Sequence, residues 1–367
     1  MKFTIKKNIL EQVVEFLGTY INVADTFLAF RYINLEVTNE KLIFTAASST
    51  MSARKILNVD EVNIKVEEEG FALLNCKVVK NIIKNLSNNV SISKRGNIIN
   101  ISEGNTKYNL NTISDRYPTI EFGNVENKFQ MNKNDFEEGI KNVAFAVGDP
   151  KNNSAISKAI NMYANNNELR FCGTDSFRLS TYTVKISKNI SFDISVDARN
   201  MKNMIIKDNN VKRINVFYTL NRFGIETEDT IIQSSLVDLA YHDIKRIFPT
   251  DITRNIVIQK NVLMDIINKT IFDSDNTGAK IELNFTSNLL TATYEEAEVG
   301  HSQASTDDFK LIGDPIELTF NSKHLREAIG VVEGELNIGI NFLESIVLLL
   351  SENCPNNKQL ITTIRRL

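Results

Sequence analysis

The segment that decides the fold is Asp197-Ala198-Arg199-Asn200-Met201-Lys202-Asn203-Met204-Ile205, because the chain carries the same pattern in three places. The other copies are residues 75–83 and 321–329. Each copy begins with Asn or Asp, has a basic residue two positions later and another three after that, and ends in an apolar pair. The first bases stand at 77, 199 and 323, so the copies are 122 and 124 residues apart. That period is a whole domain, since solenoid units repeat every ~20–50 residues.

Each copy has the features of the start of an amphipathic helix. Its first residue can accept hydrogen bonds from the free amides of the first turn, as Asn and Asp commonly do. In the middle copy, Met201, Met204 and Ile205 have the i, i+3, i+4 spacing of one face, whereas Arg199 and Lys202 share another. The pattern therefore predicts, in every copy, a helix with one apolar and one basic face.

A second repeat precedes the first. Residues 3–10, 129–136 and 256–263 each have an alternating apolar pattern that runs into a helical one, and a Lys-Asn pair recurs at 7, 133 and 260. Alternation predicts a short strand, and the 3.6-residue spacing after it predicts a helix. Hairpin patterns lie between the two helices of each repeat, at 33–45, 160–172 and 281–294.

Further strands are predicted after the second helix of each repeat, so each repeat is strand, helix, strands, helix, strands. The prediction is an α+β protein of three tandem similar domains, each with antiparallel sheet and two helices packed on one face. The predicted domains are residues 1–124, 125–251 and 252–367.

Composition excludes several classes of protein. The 367 residues are 42% hydrophobic with a net charge of −3, so the chain can build cores and is not a basic protein that coats nucleic acid. The three Cys and three His have no metal-ligand spacing, which predicts a reducing cytosol, no disulfide, no zinc and no cofactor. No apolar run approaches the ~18 residues of a membrane span, and we expect no signal peptide.

Four local sequences resemble the bacterial DNA polymerase III beta subunit family, the replicative sliding clamps. They are Met1-Lys2-Phe3-Thr4, Thr174-Asp175-Ser176-Phe177-Arg178-Leu179, Ser235-Leu236-Val237-Asp238 followed by Asp243-Ile244-Lys245-Arg246-Ile247-Phe248-Pro249, and Arg366-Leu367. The resemblance covers the chain in order. It implies the DNA clamp fold and a cytoplasmic homodimer that closes head to tail into a six-domain ring. It also implies that the ring encircles duplex DNA and tethers the DNA polymerase III alpha subunit, the clamp loader and other proteins with clamp-binding motifs.

The recurring bases are the candidate DNA-binding residues. A solvated surface is the ordinary interpretation of one such helix, but recurrence in three equivalent places favours contact with phosphates, which carries no sequence information. The predicted residues are Lys77, Lys80, Lys84, Arg199, Lys202, Lys323 and Arg326. The first helices mix bases with acids. Asp25, and Ser154 with Ala155, stand where the family often has an Arg and aromatic residues, so loop contacts to DNA are not expected from the sequence.

The resemblance also implies a hydrophobic pocket that binds partner peptides. Its implied residues are Ile156, Thr174, Ser176, Phe177, Arg178, Leu179, His242, Arg246, Ile247, Asn321, His324, Ile346, Thr363, Ile364, Arg365 and Leu367. Core packing is the alternative for Phe177, Leu179 and Ile247. The family usually has Gly and His where Ser176 and Phe177 stand, Pro at His242, and Met-Pro-Met at 363–365, so we expect a narrower or more polar pocket.

The implied dimer contact joins a strand of the first domain to a helix end of the third. Its residues are Tyr108, Leu110, Ile271 and Phe272, and domain core is the alternative for Leu110 and Ile271. Catalysis has no support, since the chain has no P-loop, HExxH or GxGxxG motif, and Asp175 is more simply explained as a turn residue. Two alternatives stay open: a multidomain peptide-binding scaffold that does not encircle DNA, and an enzyme with an unrecognised site.

Overall fold

A computed structural model describes residues 1–113, 116–122, 127–148, 154–241, 244–273 and 278–364. The helices in these ranges are α1 (Lys7–Gly18), α2 (Cys76–Lys84), α3 (Lys133–Ala144), α4 (Ala198–Asn203), α5 (Lys260–Thr270) and α6 (Ser322–Gly330). Short 3-10 turns are formed by Leu28–Arg31, Ile156–Lys158 and Ile244–Arg246.

The strands follow the predicted repeat. The first are β1 (Lys2–Lys6), β2 (Tyr32–Val37), β3 (Lys41–Ala47), β4 (Met51–Asn58), β5 (Ile64–Glu68), β6 (Gly70–Asn75), β7 (Asn89–Arg95), β8 (Ile98–Glu103) and β9 (Thr106–Asn111). The next are β10 (Lys128–Asn132), β11 (Ala159–Asn165), β12 (Glu168–Thr174), β13 (Arg178–Lys185), β14 (Phe192–Asp197), β15 (Arg213–Tyr218), β16 (Arg222–Glu226) and β17 (Thr230–Ser235). The last are β18 (Ile252–Gln259), β19 (Lys280–Phe285), β20 (Leu290–Glu296), β21 (Gly300–Thr306), β22 (Lys310–Ile312), β23 (Ile316–Asn321), β24 (Glu335–Asn341), β25 (Ile346–Leu350) and β26 (Asn357–Thr362).

The strands form four sheets in the described residues, and every pairing is antiparallel. The orders are β5-β1-β7-β8-β9, β10-β15-β16-β17-β4-β3-β2-β6, β14-β11-β12-β13-β26-β25-β24-β18-β22 and β21-β20-β19-β23. The two larger sheets combine strands of successive repeats, since β4 pairs with β17 and β13 pairs with β26. The sheet of one predicted domain is therefore continued by strands of the domain that follows it in the sequence.

The chain forms two compact units. Unit 1 comprises Met1–Lys133 and Arg199–Leu236, and unit 2 comprises Asn134–Ala198 and Val237–Leu367. Each of the four sheets lies within one unit. Each unit therefore contains strands of two successive repeats, which the pairings between repeats join into one sheet. The three predicted domain boundaries themselves stay a prediction.

Helices pack on sheets through apolar faces, as the spacing predicted. In unit 1, α1 lies against α2 and β3. In unit 2, the residues Leu263, Ile267, Leu325 and Ile329 of α5 and α6 are buried in one cluster with residues of β18 to β26. Burial of each such side chain contributes about 1.5–3 kcal/mol. The α+β prediction with two helices in each repeat is confirmed.

The second helices of the repeats begin as predicted, but the middle one is shorter than the sequence suggested. Asn75 and Asn321 cap α2 and α6, because their side chains accept hydrogen bonds from the amides of Val78 and His324, both at 3.1 Å. In the middle copy, α4 ends at Asn203, two residues before the predicted segment does. Val78, which precedes the buried Val79 in α2, is 39% exposed.

Several strands were not predicted, notably β4 and β13. Both lie in the interior of a sheet, and their first residues are buried in succession instead of alternately. The period-2 signal that identifies a half-buried strand is therefore missing. These two strands make the pairings between repeats.

We expect Gly139→Ala to destabilise the protein although alanine favours helices. An added Cβ at this position in α3 would lie 2.5 Å from the ring of Phe171, so the helix or the ring must move. The free energy of unfolding should fall by about 1–3 kcal/mol in a denaturant titration.

Gly330→Ala is the matched control, because an added Cβ at the end of α6 meets no described atom within 4 Å. This variant should be neutral or more stable by up to about 1 kcal/mol. Equal effects of the two substitutions would contradict the close approach of α3 to β12.

Candidate peptide-binding pocket, basic helix faces and subunit edge

The turn between β12 and β13 is held by its own side chains. The Asp175 carboxylate accepts hydrogen bonds from the amides of Phe177 and Arg178, both at 3.0 Å. The Thr174 hydroxyl accepts from the Ser176 amide at 3.2 Å and donates to the Arg178 carbonyl at 2.6 Å. Asp175 is thus the turn residue that the sequence suggested, and the turn presents Phe177 with 62% of its surface exposed.

Arg178 anchors this turn to the rest of unit 2. Its buried guanidinium donates to Asp175 at 2.8 Å, to the Phe145 carbonyl at 2.6 Å and to Glu327 of α6. Its carboxylate partners offset the cost of burying the charge, whereas removing one partner of a buried ion pair costs about 3–5 kcal/mol. Arg178 therefore connects the turn to Phe145 and to α6 and fixes its position.

His324 approaches the turn from α6. Its Nε2 lies 3.8 Å from the Asp175 carboxylate, and its ring centroid lies 6.5 Å from that of Phe177. Burial lowers the pKa of His324, and the positive charge of Arg178 lowers it further. Unfolding therefore raises the proton affinity of this ring, so its contribution to stability is lost as pH falls below ~6.5 toward the lower folded pKa. At neutral pH this wall of the pocket is uncharged at His324.

An apolar floor lies beside the turn, on the face of the sheet opposite the main core. Leu179 and Leu360 are neighbours across the β13–β26 ladder, and they form a buried cluster with Cys172 and Ile244. Tyr241, Phe248 and Ile346 pack around this cluster. Burial raises the pKa of the Cys172 thiol to about 12, so the thiol is a neutral apolar group here.

The remaining predicted pocket residues lie on several elements of unit 2. Thr363 and Ile364 follow β26, where their amides donate to the carbonyls of Ser345 at 3.1 Å and Thr319 at 2.8 Å. Asn321 caps α6, and Ile156 begins a 3-10 turn that lies against β12. Arg246 and Ile247 are exposed beside Ile244. His242, Arg365 and Leu367 lie outside the described residues.

Sequence reasoning missed three floor residues, Cys172, Ile244 and Leu360. Leu360 could have been found from alternation, since its neighbour Ile361 belongs to the main core and adjacent strand residues face opposite sides. Ile244 had no such signal, because it lies in a 3-10 turn.

The second helix of each repeat presents the predicted bases. Lys80 and Arg326 are partly exposed, and the other five bases are exposed: Lys77, Lys84, Arg199, Lys202 and Lys323. The opposite faces are buried, as shown by Val79 and Ile83 in α2 and by Leu325 and Ile329 in α6. One base is partly neutralised, because Nζ of Lys80 lies 3.7 Å from Glu15 of α1.

The lysines at the start of the first helix of each repeat make contacts within the chain. Lys7 pairs with Glu11 at 2.7 Å, and Nζ of Lys260 donates to the Gly330 carbonyl at 2.7 Å. Lys133 is buried and donates to the carbonyls of Ile206 and Asp208, both at 2.9 Å. The bases of the second helices are thus the better candidates for an anionic ligand.

The predicted dimer residues lie at two sheet edges. Tyr108 and Leu110 are half-buried on β9, which pairs only with β8 among the described strands. Ile271 is buried after α5, whereas Phe272 is 47% exposed and packs edge-on against Tyr294, with ring centroids 4.8 Å apart. Tyr108 and Leu110 therefore lie on a strand that ends its sheet among the described strands, and Phe272 packs on β20, the neighbour of the sheet-end strand β21.

No three His, Cys, Asp or Glu side chains in the described ranges are placed to hold a metal ion. Within the same ranges, no helix has the length and apolar character needed to cross a membrane.

Comparison with solved structures defines the class of fold. The DNA polymerase sliding clamp of Bacillus subtilis superimposes with a TM-score of 0.94 at 20% identity, covering all of both chains. The beta subunit from DNA polymerase of Streptococcus pyogenes gives a TM-score of 0.92 at 18% identity, again over both entire chains. The fold is therefore that of the sliding clamps.

Sequence comparison gives the family. Models of the N-terminal, central and C-terminal domains of the DNA polymerase III beta subunit match residues 1–121, 130–243 and 245–365. The beta sliding clamps of Mycoplasmopsis pulmonis and Bacillus subtilis are 24% and 21% identical to this chain over 100% of both lengths. The chain belongs to the DNA polymerase III beta subunit family and is a sliding clamp for DNA replication. A clamp is a non-catalytic processivity factor, and no comparison supports a scaffold that does not encircle DNA.

We expect Ser176→Gly to stabilise unit 2. Ser176 has a φ of 79°, in the left-handed region that strains residues with a Cβ. Glycine adopts this conformation without strain, so the free energy of unfolding should rise by about 0.5–1 kcal/mol in a denaturant titration. Ser187→Gly is the matched control, an exposed residue whose φ is not positive, and it should be neutral or destabilising. A loss of stability in Ser176→Gly would contradict the strained turn.

Proposed function

We propose that two copies of this chain close head to tail into a cytoplasmic ring of six domains around duplex DNA. The observation that carries this proposal is the order of strands in the four sheets. Counted along the repeats, β9 corresponds to β17 and β26, and β21 corresponds to β4 and β13. Within the chain, the equivalents of β21 pair with the equivalents of β9: β4 pairs with β17, and β13 pairs with β26.

The strands β9 and β21 are the two members of this series that end a sheet among the described strands. Pairing of β9 with β21 of a second copy would complete a third large sheet and cover two exposed edges. The same contact made twice closes a ring, because each copy offers both edges. The domains of such a ring would be residues 1–124, 125–251 and 252–367.

The predicted interface residues fit this pairing. Tyr108 and Leu110 belong to β9, and α5, which ends just before Phe272, lies against β21. The hydroxyl of Ser302 on β21 donates to the carbonyl of Thr270, the last residue of α5. The apolar side chains of both edges would therefore meet when the strands pair.

We expect Tyr108→Glu combined with Phe272→Glu to give monomers, because two carboxylates would be buried at each contact. Sedimentation equilibrium should give 41.5 kDa instead of twice that mass. Tyr218→Glu with Phe71→Glu, which changes the same residue types away from β9 and β21, should leave the dimer unchanged. A dimer of the first variant would refute the interface.

DNA would face the second helices of the repeats. Their bases recur in three equivalent places and lie opposite buried apolar faces. Lys and Arg bind phosphate without reading sequence, which suits a ring that must slide. Retention would be topological, and the clamp loader would supply ATP hydrolysis to open the ring.

We expect charge reversal at Arg199, Lys202, Lys323 and Arg326 to shorten retention on nicked circular DNA by about tenfold or more, with the dimer intact. The clamp is loaded with a bacterial clamp loader and ATP, and its release is followed over time. Linearising the circle should release the wild-type protein, whereas equal release from circle and linear DNA would contradict encirclement.

A matched control reverses the exposed strand lysines Lys41, Lys65, Lys185 and Lys310, which alters net charge equally. If this control loses retention as much as the helix variant, the phosphate contacts do not lie on the helices.

The pocket of unit 2 would bind short peptides of the DNA polymerase III alpha subunit, the clamp loader and other proteins with clamp-binding motifs. Its floor of Leu179, Ile244 and Leu360 is buried, and the partly buried Tyr241, Phe248 and Ile346 pack around it. Together with exposed Phe177, these partly buried side chains offer an apolar surface to a peptide side chain. A groove of this size suits micromolar binding of about −8 kcal/mol, which lets partners exchange.

We expect Phe177→Ala to weaken binding of alpha-subunit peptides by about tenfold, because the phenyl ring would cover the bound side chain. Fluorescence anisotropy of overlapping labelled peptides from the alpha subunit provides the measurement. Phe71→Ala is the control, since Phe71 is 65% exposed in unit 1. Unchanged affinity in Phe177→Ala would remove this residue from the pocket.

A further inference from the structure

Two consecutive apolar side chains project from the tip of the β24–β25 hairpin. Phe342 and Leu343 are each 69% exposed, and neither contributes to the buried clusters described above. Ile252, which pairs with Asn341 at the base of this tip, is 41% exposed. Single exposed apolar residues are common, but adjacent ones form a patch that usually has a partner.

The tip is held by a set of hydrogen bonds. The Asn341 side chain accepts from the amides of Ser345 and Ile346, both at 2.9 Å. The Phe342 amide donates to the Asp251 carbonyl at 3.1 Å, and Glu344 pairs with Arg254 at 2.9 Å. The two apolar side chains are therefore presented on an ordered turn, and binding to them loses little conformational entropy.

The tip is continuous with the pocket of unit 2. Ile346, four residues after Phe342, packs against the floor cluster. Thr363 donates from its amide to the Ser345 carbonyl at 3.1 Å and from its hydroxyl to the Glu344 carbonyl at 2.8 Å. Four residues span at most about 14 Å, so the patch lies within reach of a peptide that occupies the floor.

We infer that Phe342 and Leu343 form a second apolar contact for partner peptides, beyond the pocket floor. The partner is a peptide with a second apolar side chain about three to five residues from the one that fills the floor, since an extended chain advances about 3.3 Å per residue. This inference rests on the proposed function of the pocket. A second copy of the chain is the weaker occupant, because the two side chains offer roughly 300 Å² where a stable interface needs about 800 Å² from each partner.

The test uses two sets of labelled peptides and the full chain. The core probe is a six-residue alpha-subunit peptide that binds the wild type, and the extended probes add serine flanks with one phenylalanine at each flanking position in turn. We expect one or two positions, three to five residues from the anchor, to tighten binding by about tenfold. Phe342→Ser with Leu343→Ser should abolish this gain and leave the affinity for the core probe within about twofold.

Val62→Ser with Leu220→Ser is the matched control, because both side chains are exposed in unit 1, and it should keep the full gain. Thermal unfolding checks that the exposed substitutions leave the fold intact. If no flanking phenylalanine tightens binding, or if the double variant keeps the gain, the inference is wrong while the pocket stands. If no alpha-subunit peptide binds the wild type, the pocket itself is wrong and the inference fails with it.

Discussion

Strand pairing between successive repeats is the interaction on which the rest of the structure depends. Each repeat divides its strands between two sheets, and each half taken alone would leave a row of backbone groups without partners at its edge. The pairings of β4 with β17 and of β13 with β26 satisfy those groups within the chain. The candidate pocket lies on one of these pairings, since Leu179 and Leu360 face each other across it. The connection between repeats is thus also the foundation of the candidate site.

The same comparison gives a reason to place the candidate pocket in unit 2 and not at the equivalent position of unit 1. Ser52 is the second residue of β4, and Leu179 is the second residue of β13. Ser52 pairs with Gln233, and Leu179 pairs with Leu360, so the two pairs occupy equivalent positions. The buried Gln233 amide donates to the Ser52 hydroxyl and to the Glu121 carbonyl, both at 3.0 Å. A hydrogen-bonded pair therefore occupies the position where unit 2 has an apolar floor, and an apolar peptide side chain would leave buried polar groups without partners.

Prediction from sequence succeeded where one residue's neighbours in the chain decide its structure. The strand–helix starts at Lys7, Lys133 and Lys260, the caps Asn75 and Asn321, and the Asp175 turn were all predicted from local patterns. Prediction failed for β4 and β13, because burial on both faces removes the alternating signal. It also missed the packing of Ile244 and the contacts of Arg178 with Phe145 and Glu327, since both depend on residues distant in the chain.

The sequence by itself determined the threefold repeat, the α+β class, the amphipathic helices with their bases, and the family. Those properties follow from periodicity and capping, which act within a few residues. Only the tertiary structure decided which strands pair between repeats, which floor is apolar, and that the Lys133 amine is used internally. The physical reason is that hydrogen-bond partners and apolar contacts across a sheet come from segments more than a hundred residues apart, as β13 and β26 show. The residues near a strand in the sequence therefore do not indicate which distant strand it pairs with.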